Sequence, residues 1–252
     1  MVKDSIEVIP LKGIGLIKEG DDIAKVIVEA AKAQGVKIED GDIIVVAHKI
    51  VSKAEGRVVD LKTITPSKFA LRVSKLLNKD PRVIEVIFRE SKRIVRMIKG
   101  HIICETRHGF ICANAGVDKS NVEGEDFVVL LPKNPDASAE TIRKGIKKLI
   151  NADIAVIISD TFGRPWRNGQ VNVAIGVSGL IPIKDYRGTK DMFNFTLKVT
   201  MICIADELAS AAELVMNKSN GVPAALIKGY PYVKGEGSIK DLIKRNKYNL
   251  FP

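Results

Sequence analysis

Between residues 154 and 179 the chain reads IAVIISDTFGRPWRNGQVNVAIGVSG, and this segment constrains the fold more than any other. Ile154-Ala155-Val156-Ile157-Ile158 is apolar at successive positions, the pattern of a strand buried on both faces. The run gives way to Ser159-Asp160-Thr161 and then to Gly163, Arg164, Pro165, Trp166, Arg167, Asn168, Gly169 and Gln170, which read as a polar loop. A buried strand that ends in ionisable residues places its chemistry at the carboxyl edge of a sheet. Asp160 and Thr161 offer hard oxygen ligands to Mg²⁺ or Mn²⁺, ions that ordinarily bind through one or two carboxylates together with phosphate oxygens. Arg164 and Arg167 offer forked donors to an acidic substrate. An isolated Asp-Thr pair is more often a capped surface turn. Here the number of polar groups converging on one strand end favours a site.

The remaining pattern mixes both element types. Ser5–Pro10 and Asp42–Ala47 read as strands. Asp21 or Asp22 opens a helix with Ile23, Val26, Ile27, Ala30 and Ala31 on its inner face, closed by Gly35. Thr65-Pro66 reads as a helix start with Phe69, Val73, Leu76 and Leu77 turned inward. Pro81–Lys99 reads as a helix whose end turns into a strand. Ile102–Glu105 and Phe110–Ala113 flank a hairpin turn at residues 106–109. Asp136–Asn151 is an amphipathic helix with Ile142, Ile146, Leu149 and Ile150 inside. Phe195–Ala205 alternates like a strand, Asp206–Met216 reads as a helix, Ala224–Ile227 as a strand and Ser238–Arg245 as a short helix. Interleaved helices, strands and a hairpin argue for an α+β or mixed α/β chain.

Composition narrows the function classes. Three cysteines, Cys104, Cys112 and Cys203, lack metal-ligand spacing and leave one unpaired, which points to a reducing cytoplasmic setting. MVKDSIEVIP has no apolar core of a signal peptide, and no run reaches the length of a membrane span. Lys and Arg outnumber Asp and Glu by 40 to 30, a net charge of +10 that favours anionic partners. Arg89, Lys92, Arg93, Arg96 and Lys99 would form one basic stripe if residues 81–99 were a single helix, a surface for nucleic acid or for solvent. Aromatic residues make up only 5% of the chain, which argues against base stacking and so against nucleic acid.

Three other segments carry candidate chemistry. In Ala113-Asn114-Ala115-Gly116-Val117-Asp118-Lys119-Ser120-Asn121, Asp118 is a candidate metal ligand and Asn121 a candidate partner for a base or ribose, although both residue types also cap their own turns. His48-Lys49-Ile50-Val51-Ser52-Lys53-Ala54-Glu55-Gly56-Arg57 follows a buried strand, and Lys49 and Lys53 are placed to neutralise phosphates. His48 has no metal-ligand companion and reads as a hydrogen-bonding group. Gly13-Ile14-Gly15 does not extend to a dinucleotide fingerprint and there is no Walker A sequence, so a nucleotide needs another phosphate loop. Asn217-Lys218-Ser219-Asn220-Gly221 reads as a capping turn.

Taken together these motifs resemble the archaeal coenzyme F420-0:L-glutamate ligases over essentially the whole length. The resemblance is carried by Gly13–Ile17, Lys49–Arg57, Asn114–Asn121, Asp160–Arg167, Ala174–Gly179, Lys184-Asp185-Tyr186-Arg187-Gly188 and Ala205-Asp206-Glu207, in that order. It implies an α+β fold and a single catalytic unit over residues 1–252, with two lobes discontinuous in sequence and an intertwined homodimer. It further implies GTP-dependent addition of L-glutamate to coenzyme F420-0 and then to F420-1 through an acyl phosphate. Mn²⁺ or Mg²⁺ would be required, with supporting K⁺. Carried over by position, Asp118, Asp160 and Thr161 would hold divalent ions, with Lys53, Asp118 and Asp160 as the catalytic set. Ile14, Gly15, Leu16, Ile17, His48, Lys49, Lys53 and Asn121 would line the GTP site. Two positions depart from the family pattern: Asn217-Lys218 stands where relatives carry glycine then an acidic or amide residue, and His48 where Gln or a small polar residue is usual. Two rivals remain at this level: a ligase that glutamylates another acidic cofactor, and a non-catalytic basic protein that binds nucleic acid.

Overall fold

The computed structural model describes residues 5–98, 100–121 and 124–244. In chain order its elements are β1 (Glu7–Pro10), α1 (Ile23–Ala33), β2 (Ile43–Ala47), α2 (His48–Ala54), β3 (Val58–Asp60), α3 (Lys68–Leu77) and α4 (Pro81–Glu90). They continue as β4 (Ser91–Ile98), β5 (His101–Thr106), β6 (Ile111–Ala113), β7 (Phe127–Val129), α5 (Pro135–Ile150), β8 (Ala155–Arg164) and β9 (Arg167–Ser178). The chain ends in β10 (Ile183–Asp185), β11 (Met201–Cys203), α6 (Ile204–Met216) and β12 (Ala224–Lys228), followed by a 3₁₀ turn at Ile239–Asp241. The fold is mixed α+β.

The central sheet has the order β1-β12-β2-β8-β9. Only β2 and β8 run parallel, with Ile43 opposite Ala155 and Ala47 opposite Ser159. Ile43 to Val46 and Ala155 to Ile158 are all buried. Successive strand side chains point to opposite faces, so both faces of this pair are covered. α1 and α5 pack against each other so closely that a Cβ on Gly145 would lie 2.5 Å from the Ala24 Cβ. α6 lies against β9, β1 and β12.

A second buried cluster joins α3 and α4 to β5 and β7 through Val73, Ile84, Ile87, Ile102, Cys104 and Val128. Its sheets are β4-β5-β6 and β3-β7. Helix starts follow side-chain caps: Asp22 for α1, Ser67 for α3, Asp80 for α4 and Asn134 for α5, each accepting a bond from a first-turn N–H. All three cysteines are free thiols.

Several expectations need correction. The apolar run at 154–158 does not end in a loop: β8 continues through Asp160 and Thr161 to Arg164 and pairs with β9, turning at Pro165-Trp166. Arg167 to Gln170, read as loop, instead open β9, which goes on as Val171, Asn172 and Val173 in alternation, and cross-strand pairing overrides the polarity of these residues. α3 starts at the Ser67 cap, beyond Pro66. Phe69, Leu76, Leu149 and Ile150 are exposed rather than inward, because each core-facing stripe is narrower than the apolar pattern. Residues 81–98 divide into α4 and β4, which breaks the basic stripe; Lys92 and Arg93 both engage Glu105, Arg89 engages Glu85, and Lys99 lies outside the described residues. The strand read at 195–205 shrinks to β11, leaving Phe195 and Val199 in the open. The last helix shrinks to the turn at Ile239–Asp241, with Arg245 outside the described residues. No helix among the described residues is long and apolar enough to cross a membrane.

Candidate active site

β2 stops at Ala47 while its parallel neighbour β8 runs on, so the carboxyl edge of the pair is a step on which Asp160 stands just beyond the end of β2. α2 begins at once with His48, and the buried imidazole faces this step. Its Nε2 lies 3.3 Å from Asp160 Oδ1, and Nδ1 lies 3.4 Å from Ser52 Oγ. The adjacent Lys49 reaches the other way, to Asp118 on the turn after β6, with Nζ 2.7 Å from Oδ2. Two neighbouring residues of one helix thus bind two carboxylates delivered by different sheets.

These groups open into one cavity of about 1360 Å³. Every residue singled out from the sequence lies on its wall: Ile14, Gly15, Leu16 and Ile17 from the loop after β1, His48, Lys49 and Lys53 from α2, Asp118 and Asn121 from the turn after β6, and Asp160 with Thr161 from β8. The structure therefore brings the expected set together. The exceptions are Arg164 and Arg167 at the outer end of the β8–β9 hairpin, which do not line the cavity; Arg164 Nη2 donates to the Asn168 carbonyl.

Both carboxyls are held ionised. Burial pushes the Asp160 carboxyl up, but the His48 imidazole, the Thr161 N–H and the Lys49 ammonium outweigh it and leave the group below the ordinary carboxylate range. Burial likewise acts on Asp118, where the Lys49 ammonium and the Ser120 N–H and hydroxyl bring it down. The Ser120 contacts are those of an Asx turn, so Asp118 both caps its own turn and faces the cavity.

Polar groups that sequence reading passed over complete the wall. Asn172 stands opposite Thr161 across the hairpin and accepts its hydroxyl at 2.7 Å. Gln170, one alternation earlier on β9, lines the same side. The strand alternation could have located both, had β9 been read as a strand. The Ser159 hydroxyl is buried on the cavity wall with no hydrogen-bond partner among the described residues. The segment after α6 reads locally as a plain capping turn, while the family resemblance sets residues 216–222 over a nucleotide; it contributes Asn217 and Lys218 to the wall, and Lys218 Nζ donates to Thr161 Oγ1 and Asn172 Oδ1. Nothing in the local sequence signals that contact.

The donor set suits a hard divalent ion. Among the described residues no three His, Cys, Asp or Glu side chains cluster into an all-protein cage. Two ionised carboxylates on one cavity wall, with an orphaned hydroxyl beside them, instead match an open site completed by water and phosphate oxygens. Lys49 and Lys53 add positive charge on the same wall, suited to a polyphosphate.

Comparison with known proteins identifies the family. A model of the F420-0:Gamma-glutamyl ligase family matches residues 13–229. The chain is 45% identical over 249 residues to the coenzyme F420:L-glutamate ligase of Methanothermobacter thermautotrophicus, covering 98% of each chain. It is 50% identical over 215 residues to the protein of that name from Methanocaldococcus jannaschii, covering 85% of this chain and 86% of the relative. For that of Archaeoglobus fulgidus the identity is 39% over 246 residues, covering 97% and 96%. With that model matching residues 13–229 and these relatives matched over most of their length, the chain belongs to the F420-0:Gamma-glutamyl ligase family.

Proposed function

We propose that this protein is a GTP-dependent ligase that joins L-glutamate to coenzyme F420-0, and then a second glutamate to F420-1 through its γ-carboxyl. The observation that carries the reading is the meeting of Asp118 and Asp160 with Lys49 and Lys53 on one cavity wall, in a chain of this family.

A carboxylate is a poor electrophile. In the proposed reaction a carboxylate oxygen of the acceptor attacks the γ-phosphorus of GTP and GDP leaves. The glutamate amine then attacks the acyl phosphate, loses a proton, and phosphate departs. The loop at Ile14–Ile17 would seat the nucleotide with Asn121, His48 and Lys49, and Lys53 would clamp its phosphates. Asp118 and Asp160 would hold Mn²⁺ or Mg²⁺, which when bound neutralises charge developing on the β- and γ-phosphate oxygens. His48 keeps Asp160 aimed at the cavity, and the Lys49 bond does the same for Asp118. The resemblance also implies K⁺ in a supporting role.

We further propose that the subunits are two-lobed, the lobes corresponding to the two buried clusters, and that they pair as an intertwined homodimer. Met192, Phe193, Phe195 and Val199 are all more than half exposed on the segment between β10 and β11, an apolar patch that a second copy would cover.

The test is direct. Protein incubated with F420-0, glutamate, GTP and Mn²⁺ should yield product heavier by one and then two glutamyl residues, with GDP formed in step. Asp118→Ala should lose this turnover while keeping the native circular dichroism and melting temperature. Glutamylation of other acidic cofactors with F420-0 left untouched would reassign the acceptor, and no nucleotide-driven ligation with any acceptor would overturn the reading.

A further inference from the structure

The cavity contains one cation of the protein's own in an unusual place. Asn217 closes α6 with φ of 55° and ψ of −175°, a positive-φ extended conformation that favours glycine, and the chain turns back over the β8–β9 hairpin. Lys218, the next residue, lays its ammonium on the oxygens of that hairpin: Nζ is 2.5 Å from Thr161 Oγ1 and 3.0 Å from Asn172 Oδ1, with Glu213 Oε1 at 3.8 Å. The Thr161 hydroxyl spends its proton on Asn172, so it presents lone pairs outward and Lys218 takes one of them. A hydroxyl, an amide oxygen and a nearby carboxylate facing one small volume are cation ligands, and here the cation is covalently attached.

We infer that Lys218 is a tethered cation that fills the Thr161–Asn172 corner of the cavity, taking the place of a free metal ion there and presenting its charge to the bound polyphosphate. A metal ion and the ammonium cannot share this corner, because both need the outward lone pairs of the same Thr161 and Asn172 oxygens, which Lys218 already occupies. The proposed divalent site of Asp118 and Asp160 is left intact, since Lys218 engages Thr161, Asn172 and Glu213 while the two carboxylates are held by Lys49 and His48. Lys218 acts as a specificity-determining group for which cation sits at the phosphates.

The inference rests on the nucleotide-binding part of the proposed function, and the experiment separates the two. Mn²⁺ bound per chain is counted by electron paramagnetic resonance in the presence of the non-hydrolysable guanosine imidotriphosphate, for wild type, Lys218→Gln, Lys218→Arg and the Thr161→Val, Lys218→Gln double variant. Lys218→Gln is expected to hold one more Mn²⁺ per chain than wild type. Lys218→Arg and the double variant are expected to return the wild-type count. In a parallel arm, K⁺ from 0 to 200 mM is varied at fixed Mn²⁺ and thermal stability of the nucleotide complex is read. A K⁺-dependent rise confined to Lys218→Gln, without an extra Mn²⁺, would identify the displaced ion as monovalent and support the same inference. Equal, non-zero Mn²⁺ counts with identical K⁺ responses in wild type and Lys218→Gln would overturn it. No Mn²⁺ held by either protein with the nucleotide would overturn the nucleotide-site reading and this inference with it. The Lys218 side chain is 58% exposed, so its replacement leaves the core untouched.

Discussion

His48 and Lys49 show how two adjacent side chains organise a cavity. The first residues of α2 point in different directions, one into the sheet edge at Asp160 and one across to Asp118. His48 was recognisable in the sequence as a hydrogen-bonding group rather than a metal ligand, but its partner Asp160, 112 positions away in the chain, was not. Ser159 presents a sharper case. A buried hydroxyl without a partner forfeits its hydration, so Ser159→Ala should leave stability unchanged or raise it by about 1 kcal/mol. The same change should weaken guanosine imidotriphosphate binding if the hydroxyl meets ligand, and denaturation with parallel binding titration reads both. Far from the cavity, Asp42 and Lys228 form a buried pair at 2.6 Å. Asp42→Ala leaves the ammonium with Glu39 alone, 3.2 Å away, and should cost roughly 1–3 kcal/mol in urea unfolding, whereas a leucine and methionine pair in their places should recover much of the loss.

Among the elements, α5 makes the closest approaches. Gly145 admits the Ala24 methyl of α1, and with φ in the ordinary helical range its role is space rather than conformation. Gly145→Ala should therefore lower stability by about 1–3 kcal/mol, against the small gain that the substitution brings at an open helix position. Glu140 ties α5 to β9 through Ser178 and holds Arg143 and Lys144. The Arg143 guanidinium, aided by Ser178 and Lys144 and opposed by burial, draws the Glu140 carboxyl from 4.5 down to about 2. A folded-state value below the unfolded one stabilises the native state above pH 4.5, and that contribution drains away as pH falls toward about 2. Glu140→Gln should flatten that part of the acid-unfolding profile and leave the profile above it parallel to wild type. The β8–β9 hairpin was the element least legible in the sequence. A continuous apolar run identified its inner half, but Ser159-Asp160-Thr161 and the Gly and Pro beyond them carry the signature of a loop. Pairing along the β9 register keeps them in a strand.

Across the whole chain, the apolar patch between β10 and β11 bears on assembly. Its alternation, Phe195, Leu197, Val199 and Met201, satisfies the rule for a half-buried strand, yet only Met201 enters one. Its backbone pairs locally with residues 188–191, yet the Phe195 and Val199 side chains stay exposed, a face that an intermolecular contact would cover. On the proposed homodimer, wild type should sediment as a dimer and Phe193→Asp with Val199→Asp as a monomer in analytical ultracentrifugation, with far-ultraviolet circular dichroism unchanged. The sequence by itself determined the buried strand cores of β2 and β8, the amphipathic helices α1, α5 and α6, and most of the charged groups on the cavity wall, because periodicity, caps and local motifs are properties of short stretches. Tertiary structure alone decided which of those groups meet. His48 with Asp160, Lys49 with Asp118 and Lys218 with Thr161 are contacts across 57 to 112 positions of sequence. Such contacts depend on where whole strands end relative to one another, and no local pattern encodes that.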